Sequence, residues 1–259
     1  MLTFSLLHPR RGLLILQTDQ QVKEDSYHRY NYVSTHDKFE NAVSSFFPDS
    51  SAKLASLKNE AGQLQSQLKE FFKKLENESF PSKRKPYPME YSLSNFSGIF
   101  MYVLCRLLKP EKVLETGIAY GNSSSFILQA LNENKKGQLY SMDYVFRPWE
   151  TREVIGSAIP SELRDRWHLI FGPTNKKLKK TLEDLGEIDI FFHDSLHTYK
   201  NMMFEFNTTW QYIKKGGFLL ADDISYNSAF YEFCSSLKLE PAIIGESKEL
   251  FLGVLQKPS

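Results

Sequence analysis

"ETGIAYGNSSSF", residues 115 to 126, closes an apolar run with an acid, turns through Gly117 and Gly121, and continues into three serines. The run that precedes it, "KVLET" at 112–116, is short and apolar enough for a buried strand, and "NSSSFILQAL" behind it has the spacing of a helix. Strand, tight turn and helix start in succession form the repeating unit of a parallel sheet with crossover helices. The unit recurs downstream. "GQLYSMDYV" gives a second strand with Asp143 near its tip, "WHLIFG" a third, "IDIFFHDS" a fourth and "GGFLLADD" a fifth, and "PAIIGESKELFLGVLQ" reads as a terminal hairpin pair. The expectation is an α/β chain with a doubly wound, seven-stranded, mostly parallel sheet.

Upstream the pattern is different. Leu54, Leu57, Ala61, Leu64, Leu68, Phe71 and Leu75 alternate spacings of three and four, a heptad stripe of about three repeats interrupted once by Gly62. This predicts an amphipathic helix over about 54–75 that either docks on the main domain or pairs with a second copy as a homodimer. "SFPSKRKPYP" at 79–88 reads as a linker, its basic run "SKRK" a solvated one. The division expected is an N-terminal helical appendage, 1–85, and a ligand-binding domain, 86–259. Ser94 is a candidate cap for a helix running to about Leu108 and ended by Pro110.

Bulk properties exclude several classes. With 32 basic and 31 acidic side chains in 259 residues the formal charge is +1, so no global field gathers nucleic acid or a membrane surface. No apolar stretch reaches the roughly 20 residues of a bilayer span. Cys105 and Cys234 lie in apolar stretches and suit buried thiols in a reducing compartment, so a cytoplasmic protein is expected.

In such sheets ligands bind at the carboxyl ends of the strands, close to where strand order reverses. Gly117 and Gly121 let the backbone approach a ligand, and the serines supply hydroxyls at the helix start. The G-x-x-x-G spacing is not the G-x-G-x-x-G of dinucleotide folds, so a neutral or cationic nucleoside is favoured over a pyrophosphate. Glu115 offers charge to a cation, and Asp143 at the second strand's tip can accept from both ribose hydroxyls.

"VLETGIAYGNSS", "LYSMDYV", "FFHDSLHTY" and "LLADD" together resemble the successive motifs of class I S-adenosylmethionine-dependent methyltransferases, most of all the metal-dependent macrocin O-methyltransferase-like and cephalosporin hydroxylase-like branch. The resemblance spans roughly 90 to 256. It implies a Rossmann-like methyltransferase fold and a cofactor, S-adenosylmethionine, held by Glu115, Gly117, Gly121 and Ser123, with Asp143 on the ribose. Thr174 stands where the family contacts adenine, in "GPTN" where an acid is usual. The acceptor implied is a hydroxyl of a small molecule such as a sugar or natural product.

Asp194, Asp222 and Asp223 end the fourth and fifth strands, and converging carboxylates suit a divalent cation such as Mg²⁺, or else cap helices and loops. His197, three residues beyond Asp194, is a candidate general base, with helix capping its alternative role. In the resembled enzymes D-x-x-H at this tip supplies metal ligand and base. His193 points away from Asp194 by strand alternation and reads as structural. The loop after Asp143, with Arg147, Trp149 and Arg152, is a candidate lid. Two rival readings are a methyltransferase-fold scaffold that binds without turning over, and a nicotinamide-dependent oxidoreductase. The second would want a third glycine and a Tyr-x-x-x-Lys arrangement, and the sequence offers neither convincingly.

Overall fold

A computed structural model describes residues 8–36, 39–88, 95–245 and 250–259. Ser94 and the turn of the expected hairpin fall outside them. The helices are α1 (Pro9–Asp25), α2 (Phe39–Phe46), α3 (Ser51–Glu76), α4 (Asn95–Leu108), α5 (Asn122–Glu133), α6 (Thr174–Leu185), α7 (Tyr199–Trp210) and α8 (Ala229–Leu237). The strands are β1 (Lys112–Thr116), β2 (Gln138–Asp143), β3 (Trp167–Phe171), β4 (Ile188–His193), β5 (Ile213–Ala221), β6 (Ala242–Gly245) and β7 (Phe251–Gln256). They form one sheet in the order β3-β2-β1-β4-β5-β7-β6. The first five are parallel, while β7 runs antiparallel to both β5 and β6. The doubly wound seven-stranded sheet expected from the strand–turn–helix units is therefore present.

Alternation along the central strands divides the interior between two faces. Val113, Ile190, Phe192, Phe218 and Leu220 face a core shared with α3, α4 and α5. Leu114, Phe191, Leu219 and Ala221 face one shared with α7 and α8. Strands this apolar on both sides are what a parallel sheet covered by helices requires.

The heptad stripe is occupied within the chain. Leu54, Leu57, Ala61, Leu64 and Leu68 are buried in the same cluster as Phe100, Val113 and Phe126, so α3 docks on its own domain and this face is spent there. The buried residues of α2 and α3 thus share the cluster formed with α4 and α5. The stretch read as a linker is also packed: Tyr87 is buried, its ring lies 5.2 Å from that of Tyr120, and its carbonyl accepts from the Tyr120 hydroxyl at 3.0 Å. Lys85 is buried as well, which corrects the reading of "SKRK" as fully solvated. Gly62 is the one weak point of α3. An added Cβ there meets nothing within 4 Å. Gly62→Ala is expected to raise stability by about 0.5–1 kcal/mol, seen as a higher midpoint in thermal denaturation, because the folded helix loses nothing while the unfolded chain loses freedom.

Candidate active site

All five parallel strands end on one edge, and the backbone ladder continues one residue beyond them. Gly117 N–H donates to the Met142 carbonyl at 2.9 Å, Asp194 N–H to Thr116 at 2.8 Å, Gly172 N–H to Asp143 at 2.9 Å and Asp222 N–H to His193 at 3.0 Å. The tips are thereby locked together, and Gly117, Asp143, Asp194 and Asp222 are brought to one edge. Gly117 sits at φ +83°, and a Cβ on it would lie 1.9 Å from the Asp194 carbonyl oxygen. Close approach of β4 to the turn is therefore what requires glycine. Gly121, at φ +92°, starts α5.

Strand alternation sends Glu115 toward α5 and Thr116 toward α7. Glu115 is fully buried, and its carboxylate accepts from Ser123 Oγ at 2.5 Å, Ser124 Oγ at 2.6 Å and Ser141 Oγ at 2.7 Å. Burial pushes this carboxyl up from its usual range, and the three hydroxyls oppose the shift only in part. Glu115 and Ser123, expected to face the ligand, are instead satisfied by each other. They tie β1, β2 and α5 together beneath the turn. A carboxylate placed one residue inside the strand tip cannot turn outward without abandoning three hydroxyls to a dry interior.

Asp143 is the last residue of β2. Its Oδ2 accepts from the Ile118 and Ala119 amides, both at 3.0 Å, and its Oδ1 from the Tyr144 amide at 2.6 Å. It shapes the glycine turn, and the residue as a whole is half-buried. Burial is the largest influence on it and raises its pKa. Thr174 begins α6 at the tip of β3, and its hydroxyl donates to Asn201 Oδ1 at 3.4 Å.

His197 lies beside Asp194, Nε2 to Oδ1 3.9 Å, too long for a hydrogen bond. Its ring stacks on Tyr226 with centroids 5.7 Å apart and meets His193 edge-on at 5.2 Å. Its Nε2 is buried without a partner. Burial, and then the neighbouring His193, lower its pKa to about 3, so the imidazole is neutral. Asp194 is moved the other way, well above the usual carboxylate range, by burial and then by Asp222 and Asp223. The two groups are thus shifted in opposite directions, the carboxylate toward its protonated form and the imidazole toward its neutral one.

The three aspartates influence one another, yet they do not assemble as the expected metal site. Among the described residues no group of three or more His, Cys, Asp or Glu side chains could hold a metal ion. Asp222 accepts from Ser97 Oγ at 3.3 Å, and Asp223, at φ +50°, starts the short 3-10 turn Ile224–Tyr226. This geometry does not fit a cation bound by all three, and no step below passes through one.

One buried group was not foreseen. Glu205 of α7 is completely buried and accepts from Thr116 Oγ1 at 2.6 Å, Ser195 Oγ at 2.9 Å and Asn201 Nδ2 at 3.1 Å, and it pairs with His193 Nδ1 at 2.7 Å. His193 is indeed turned to the interior, and Glu205 fixes it there. The signal was a glutamate in the buried stripe Met202, Glu205, Phe206 and Thr209. Of the suspected lid residues, Arg147 pairs with Asp19, Trp149 Nε1 donates to the Pro86 carbonyl at 3.0 Å, and Arg152 lies over the Phe171 ring at 4.8 Å.

The segment containing these tips matches the model of a protein family. Residues 114–224 match the model of a family described as a methyltransferase domain. The matched segment begins inside β1 and ends just past β5, so it takes in every strand tip described above. Solved structures share its fold. An O-methyltransferase from Bacillus cereus in complex with S-adenosylhomocysteine (SAH) is 16% identical with a TM-score of 0.53, over 84% of this chain and 96% of that one. The O-methyltransferase TomG from Streptomyces achromogenes, in complex with S-adenosylmethionine and involved in tomaymycin synthesis, is 16% identical over 76% of this chain and 89% of that one, TM-score 0.53. SAH-bound PaMTH1 from Podospora anserina is 18% identical over 68% and 85%, TM-score 0.52. No curated protein sequence matches the chain. The fold is shared with these O-methyltransferase structures, and no helix among the described residues is long and apolar enough to cross a membrane.

Proposed function

We propose that this protein transfers a methyl group from S-adenosylmethionine to a hydroxyl of a small molecule, of the sugar or natural-product kind. The observation that carries the reading is the convergence of Gly117, Asp143 and the Asp194/His197 pair on one locked strand edge within the methyltransferase domain. The glycine turn brings the backbone to the strand edge where a nucleoside would lie, and Asp143 Oδ1, which accepts from a single amide, accepts from ribose hydroxyls as well. When bound, the cofactor supplies a sulfonium methyl already activated for transfer. The protein's task is then to align the acceptor oxygen and remove its proton. Asp194, whose proton affinity is raised, takes that proton, and neutral His197 positions the hydroxyl through its unpartnered Nε2.

Titration calorimetry with S-adenosylmethionine and SAH tests the cofactor. Asp143→Asn is expected to keep the fold but weaken SAH binding about tenfold or more, since an amide cannot accept through both arms. Unaltered affinity in that variant would remove Asp143 from the ribose. A wild-type protein that binds neither ligand would overturn the methyltransferase reading. Binding without transfer to any of a panel of hydroxylated acceptors would favour a scaffold.

A further inference from the structure

Helix α1 is bound at both ends to the strand edge that holds the proposed site. Near its start, Arg11 donates to the carbonyls of Val145 at 2.6 Å and Phe146 at 3.1 Å, in the loop that leaves Asp143. In its middle, Asp19 forms a two-armed pair with Arg147 of the same loop, at 2.6 and 3.3 Å. At its end, Asp25 accepts from the Tyr199 amide at 2.7 Å, at the start of α7 beyond β4. Since β2 and β4 flank β1 in the sheet, a helix tied to the segments that follow both spans the β1 end of that strand edge. Ile15 of this helix is completely buried, although it is part of neither face's core. Just past the helix, Arg29 lies 5.9 Å over the ring of Tyr226, which itself stacks on His197.

We infer that α1 is a latched strap across the cofactor edge, which swings open to admit S-adenosylmethionine and release SAH, with Asp19–Arg147 as its latch. This rests on the proposed cofactor site. The latch pair is partly exposed and the outer face of the helix carries Leu13, Leu14 and Leu16 in solvent, so little burial opposes opening.

A latch that closes free and bound protein alike changes rates rather than affinity. Asp19→Ala and Arg147→Ala are each expected to raise the association and dissociation rate constants of SAH together, by about two- to fivefold, leaving Kd nearly unchanged. The charge-swapped double variant, Asp19→Arg with Arg147→Asp, is expected to return both rates toward wild type. Hydrogen exchange reads the strap without ligand: amides of 9–25 should exchange faster in both single variants and slower again in the swap. Wild-type SAH binding with unchanged rates in the singles, or unchanged exchange, overturns the strap. If the wild type takes up no SAH, the cofactor reading falls and the gate falls with it. A single variant that fails to fold is replaced by the swap, whose slow exchange and rates the same reading requires.

Discussion

Gly117→Ala is expected to lose about 3–5 kcal/mol of stability, enough to lower the thermal midpoint by roughly 10 °C or more. Two costs add. The residue sits at φ +83°, where an L side chain is strained, and its Cβ would lie 1.9 Å from one backbone atom of Asp194 and 2.4 Å from another, neither of which can yield as a flexible side chain does. Relief comes only by parting β1 from β4, which breaks the Asp194 N–H bond to Thr116 and displaces Asp194 and His197 together. Calorimetric or fluorescence melting checks the stability, and SAH titration of whatever remains folded checks the site. An alanine variant melting within a degree or two of wild type would show that the turn is not held as tightly as the register implies.

The second large effect concerns the proton. Asp194→Asn is expected to reduce kcat/KM by about 10²–10⁴ while SAH still binds, since the variant keeps the backbone that locks the strand tips and loses only the proton acceptor. His197→Gln should cost less, about tenfold, because an imidazole whose pKa is lowered to about 3 is a poor proton sink at neutral pH. The pH profile separates the two roles. With Asp194 as base, turnover rises as its carboxyl deprotonates, at a pH above the usual carboxylate range, and that limb should persist in His197→Gln and vanish in Asp194→Asn. The opposite order, with His197→Gln the more damaging and the limb removed by it, would return the role to His197.

The pattern of residues alone determined the strand order's raw material. Apolar runs ending in Gly117, Asp143, Gly172, Asp194 and Asp222 announced parallel strands whose tips share an edge, because covered parallel sheets need strands apolar on both faces and ligands reach only the carboxyl ends. The heptad of α3 was equally legible as a helix. Its destination was not, since the same stripe serves a partner or the chain's own α4 and α5. Tertiary structure decided what each acid does. Glu115 and Asp143 both lie at strand ends, but Glu115 points into a dry layer where three serines hydrogen-bond its carboxylate, while Asp143 ends β2 and accepts from the backbone amides of the glycine turn. Asp194 and His197 exchanged proton affinities for the same reason: burial penalises whichever form is charged, raising the acid and lowering the base, and burial is a property of the packed molecule. Glu205 and the helix α1 that crosses the site act through partners distant in the chain, Thr116 and Arg147 among them, contacts that no local spacing encodes.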